Sequence, residues 1–95
     1  MVQRKPLPNM RSGFGSAALA GRIYTFGGNR PKDLSSDVDL YDVRTDTWTV
    51  KSGSLGAPRK WVGTVVFRNS IWLLGGVSAG SDDPVATVEV FEPSR

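Results

Sequence analysis

Arg22-Ile23-Tyr24-Thr25-Phe26-Gly27-Gly28 and Ser70-Ile71-Trp72-Leu73-Leu74-Gly75-Gly76 lie 48 positions apart in the 95-residue chain, and each is a short apolar run stopped by a glycine pair. Five residues of β-branched, aromatic and aliphatic character bounded by glycine read as a strand that ends in a sharp turn. The same offset lays Arg11-Ser12-Gly13-Phe14-Gly15 on Arg59-Lys60-Trp61-Val62-Gly63. Beyond the diglycines the offset becomes 50, because the second loop is two residues longer, and Val38-Asp39-Leu40-Tyr41-Asp42 falls on Val88-Glu89-Val90-Phe91-Glu92. The chain is one unit written twice, and a period of this size marks repeat architectures.

Setting the copies side by side resolves what one copy leaves open. Ser16-Ala17-Ala18-Leu19-Ala20 has the propensity of a helix, but the same slot in the second copy is Thr64-Val65-Val66-Phe67, which favours a strand. Both are expected to be strands. Each half then runs as strand, short turn at Gly21 or Asn69, strand, diglycine, long polar loop, and a third strand of alternating apolar and acidic residues. A fourth strand is expected near Thr47 to Lys51. Four short antiparallel strands in about 50 residues make one propeller blade. A blade sits between two neighbours and needs apolar residues on both faces of its inner strands, as Ile23 with Phe26 and Ile71 with Leu74 supply.

Tyr24-Thr25-Phe26-Gly27-Gly28, followed by Tyr41-Asp42 and then Thr45-Asp46-Thr47-Trp48, resembles the kelch repeat: a strand ending in diglycine, a tyrosine, and a tryptophan several residues on. The second copy has Trp72 and Phe91 where the first has tyrosines, and the chain stops before its tryptophan. The resemblance implies an all-β fold of two four-stranded antiparallel blades. The first repeat spans 1–57, with Met1 to Arg4 as an outer strand, and the second spans 58–95 without an outer strand of its own. Tyr41, Trp48 and Phe91 are expected to wedge between sheets. Two blades do not close a ring, so closure is expected through self-association, with a homotrimer giving six blades, or within a longer polypeptide. In an isolated unit, residues of the Ile23, Phe26, Ile71 and Leu74 kind would stand on uncovered faces.

Composition narrows the function classes. The chain has no histidine and no cysteine, which removes the commonest general base, the commonest metal ligand and any thiolate. Neither an enzyme nor a bound cofactor or metal is expected. Gly13-x-Gly15-x-x-Ala18 opens a strand where a dinucleotide fingerprint would open a helix, and Asp82-Asp83 beside Pro84 reads as a solvated turn. The net charge of +3 is spread along the chain, too thin for a nucleic-acid footprint. No apolar run is long enough for a spanning helix, and Met1 to Pro8 lacks the apolar core of a signal peptide. A cytoplasmic protein is expected.

The candidate site follows from the resemblance. In kelch substrate adaptors, arginines just before the first strand line a pocket for acidic peptides, which implies Arg11 and Arg59 here. Asn29, Arg30, Ser36, Ser78 and Thr87, after the diglycines, would share their rim. A planar guanidinium suits carboxylates in any case. The competing reading makes each arginine a tie on the carbonyls of its own loop. The function expected is recognition of a protein or acidic ligand, the alternatives being part of a mutarotase-like, sugar-handling propeller or a purely structural piece.

Overall fold

The computed structural model describes residues 1–31, 33–78 and 84–93, and all the regular structure among them is β. Asp82 and Asp83 lie outside the described residues. The strands are β1 (Gly15–Leu19), β2 (Arg22–Phe26), β3 (Val38–Asp42), β4 (Thr47–Lys51), β5 (Arg59–Lys60), β6 (Gly63–Phe67), β7 (Ser70–Leu74), β8 (Val77–Ser78) and β9 (Val88–Phe91). No helix of the described residues is long and apolar enough to cross a membrane.

The first blade is an antiparallel sheet in the order β1-β2-β3-β4, and the second is β6-β7-β9. The alanine-rich slot is strand in both copies. A short ladder of β5 with β8 was not foreseen from the sequence. Met1 to Arg4, expected as an outer strand, belongs to no strand of the single chain.

Local chemistry sets the turns. The two-residue loops Ala20-Gly21 and Arg68-Asn69 have both φ values positive, at 54° and 76° and at 52° and 62°. That is the twist a tight hairpin of right-twisted strands requires. Both diglycines also sit at positive φ, and they are closely packed as well. A Cβ on Gly27 would run into the Arg59 carbonyl, and one on Gly76 would stand 2.7 Å from that of Lys60. Glycine is therefore needed twice over, for φ and for space.

The core lies between the blades. Ala17, Leu19, Tyr24, Phe26, Val38 and Leu40 line one face of the first sheet, and Ile71, Leu73 and Phe91 meet them from the second. The Phe91 ring lies 5.5 Å from both Tyr24 and Phe26. The expectation of uncovered faces needs one correction. Phe26 and Ile71 are fully buried between the blades, whereas Ile23 and Leu74, one pleat over, are 39% and 41% exposed. Tyr41 and Trp48 pack on each other at 4.9 Å on the outer face of the first sheet, and among the described residues no second sheet lies against them.

Candidate functional site

Arg11 and Arg59 occupy equivalent places and make equivalent bonds. Arg11 donates to the Gly27 carbonyl (3.1 Å) and to Thr25 Oγ1 (3.1 Å), and pairs with the Asp39 carboxylate. Arg59 donates to the Gly75 carbonyl (3.1 Å) and to Glu89 Oε1 (2.5 Å). Gly75 is the repeat image of Gly27, and Glu89 that of Asp39. Each guanidinium thus holds the first glycine of its diglycine against the third strand of its blade. The side chains are 1% and 2% exposed. Carbonyls that a diglycine turn would leave unpaired inside the protein gain charge-assisted donors in this way. This is the geometry of the loop tie, and it differs from that of an open rim. Arg11 still contributes, with Met10, Ser12, Asn29, Arg30 and Pro31, to the wall of a shallow depression of about 420 Å³.

Backbone bonds gather the remaining candidates at one end of the two sheets. Ser12 pairs with Asn29, Gly28 N–H donates to the Arg59 carbonyl (2.9 Å), and Arg59 stands opposite Ser78 in the short ladder. Arg30 is half-buried and bonded to Asp33 (2.8 and 3.0 Å) and to Asp37 (3.4 Å), its pKa raised chiefly by the Asp33 hydrogen bond. Asn29 is exposed. Ser36 and Thr87 contribute their carbonyls to Leu55 N–H and Gly75 N–H, so both also hold loops in place. Among the described residues no three His, Cys, Asp or Glu side chains converge as a metal site would require.

Trp61 escapes the sequence reading. It stands where the first copy has Gly13, and like that glycine it has positive φ, 57° against 66°. A bulky residue there is an outlier, and strain of this kind gathers at functional positions. The residue is 64% exposed, its backbone N–H donates to the Gly13 carbonyl (2.6 Å), and the Lys60 ammonium lies 4.5 Å from the centre of its ring. The legible signal was the exchange of glycine for tryptophan between two otherwise parallel copies.

Comparison with known proteins agrees with this geometry. The Kelch motif matches residues 10–53. An influenza virus NS1A-binding protein homolog from Xenopus laevis is 32% identical over 82% of the chain and 12% of its own length. A kelch-like protein from Aspergillus terreus is 30% identical over 94% of the chain and 20% of its own. An N-(sulfonatooxy)prop-2-enimidothioate sulfolyase from Thlaspi arvense is 35% identical over 74% of the chain and 22% of its own. The chain thus spans less than a quarter of each of these relatives. With the motif matched over residues 10–53 and its blade geometry repeated in the second half, the chain is built of kelch repeats.

Proposed function

We propose that the chain is a kelch-type binding module that presents a protein or acidic-ligand surface at its loop end. Trp61 carries the reading. A large aromatic kept exposed on strained backbone beside a lysine is poor packing and good recognition chemistry, since tryptophan anchors dominate interfaces. Asn29, Arg30 and Ser78 share that end of the sheets, with Ser36 and Thr87 as loop supports. Arg11 and Arg59 act through the loops they hold. A relative named for binding supports the module reading. The relative named as a sulfolyase supplies the enzymatic rival. Against that rival stand the absence of His and Cys and the burial of both arginines.

We also propose that the module closes its ring by self-association as a homotrimer. The exposed face of the second blade is the repeat image of the face already buried between the blades. Val65, Phe67, Trp72, Leu74, Val88 and Val90 stand where the first blade has Ala17, Leu19, Tyr24, Phe26, Val38 and Leu40. Five of the six, all but Trp72, are more than two-fifths exposed, an apolar patch of the kind that marks an interface.

The loop-end reading is tested by calorimetric titration of a ten-residue glutamate-rich peptide into wild type, Trp61→Ala and Arg30→Ala. Binding by wild type that falls at least about ten-fold in Trp61→Ala supports it. Absence of binding by wild type removes the acidic-ligand reading.

A further inference from the structure

Residues 4–8 form no strand, yet they lie across the outer face of the first blade. The Lys5 amide donates to Asp46 Oδ1 (3.0 Å), and the Lys5 carbonyl accepts from Trp48 Nε1 (2.9 Å). Arg4 donates to the Val43 carbonyl (2.7 Å), lies 3.4 Å from Asp46, and holds its guanidinium 6.0 Å over the Tyr41 ring. The Tyr41 hydroxyl donates to the same Asp46 oxygen (2.6 Å). Lys5, Pro6, Leu7 and Pro8 then run beside Thr47, Trp48 and Val50 around a groove of about 470 Å³. Two prolines favour an extended strap that loses little entropy on docking against aromatic rings.

What the strap covers gives it meaning. Tyr41 is the repeat image of Phe91, the ring that enters the core between the blades and meets Tyr24 and Phe26. The images of Tyr24 and Phe26 are Trp72 and Leu74, on the open face of the second blade. A second copy docked by the contact already present within the chain would therefore bring its Trp72 and Leu74 onto Tyr41. In the single chain Arg4 stands there.

We propose that Arg4 to Pro8 form a displaceable strap that occupies the docking site of a second copy and sets the concentration at which the chain self-associates. This rests on the self-association reading above. The strap and the second copy cannot hold Tyr41 together, so every contact that fastens the strap opposes assembly. The fastenings are solvent-exposed and individually weak, which suits a latch that must open.

The test uses the full chain as wild type, Arg4→Ala and Asp46→Asn, followed across concentration by sedimentation and by the Trp48 indole N–H resonance. The proposal predicts that both variants associate at concentrations about two- to ten-fold lower than wild type. It also predicts that the wild-type indole resonance shifts in step with association, as Lys5 leaves it. Association of the variants at unchanged or higher concentration, or assembly with the indole resonance unmoved, overturns the strap and leaves self-association standing. If all three proteins stay monomeric throughout, self-association fails and the strap's role fails with it.

Discussion

Arg11 is held by the Gly27 carbonyl, Thr25 and Asp39, and almost none of its side chain reaches solvent. Removing one member of a buried ion pair leaves the other charge desolvated, so Arg11→Ala should cost about 3–5 kcal/mol in urea unfolding. Arg59→Ala should cost less, about 1.5–3 kcal/mol, because its partner Glu89 is one-third exposed and can return to water. Equal, negligible losses would mean that neither arginine is a tie. The sequence showed both arginines in register and allowed two roles for them. It could not choose, because the choice depends on Asp39 and Glu89, 28 and 30 residues away, pointing inward from the third strands. Asp46 gives a second test at this scale. Its carboxyl is held below the usual range, first by the Tyr41 hydroxyl and then by the Lys5 amide, and the same hydroxyl bond raises Tyr41. A depressed carboxyl stabilises above its unfolded pKa and loses that contribution as pH falls through its folded value. A raised phenol stabilises below its unfolded pKa and loses its contribution as pH rises through the folded one. Arg4 stays charged throughout. The Trp48 indole resonance should therefore hold constant across neutral pH and move in strong acid and again in strong alkali. Movement centred near neutrality would contradict this latch chemistry.

The hairpin between β1 and β2 turns on Ala20-Gly21, and Ala20 accepts a left-handed conformation that alanine disfavours. Ala20→Asn should raise stability by about 1 kcal/mol, since Asn-Gly is the preferred pair for this turn. Thermal unfolding would show it, and a lower midpoint would speak against the turn. Gly27→Ala should do the reverse and strongly, because both φ and the Arg59 carbonyl exclude a Cβ. At this scale the sequence was most legible: strand, turn and diglycine recur in both copies, and strands β1 to β4 fall where the patterning places them. The ladder of β5 with β8 was hidden because two-residue strands have no periodicity to read. The path of residues 4–8 was hidden for a different reason. Its fastening depends on Val43, Asp46 and Trp48, which are distant in the chain and become neighbours only after the blade has formed.

Two blades bury one interface and leave its images open on either side. Repeat architectures gain stability from neighbour contacts, and a terminal face without a neighbour is the weak point of the stack. The first blade meets this by laying its strap over Tyr41 and Trp48, while the second leaves Val65, Leu74, Val88 and Val90 in solvent. The head-to-tail ring proposed above would cover both kinds of face with the packing already present inside each chain, and it would close without free ends. Leu74 lies on the open face, so a charge there should block a neighbouring copy and spare the internal core, where its image Phe26 is buried. The most direct measurement is sedimentation equilibrium of wild type and Leu74→Glu over a wide concentration range. Wild type should reach three times the chain mass and Leu74→Glu should remain a folded monomer, whereas a wild type that stays monodisperse and monomeric at every concentration would contradict closure by self-association.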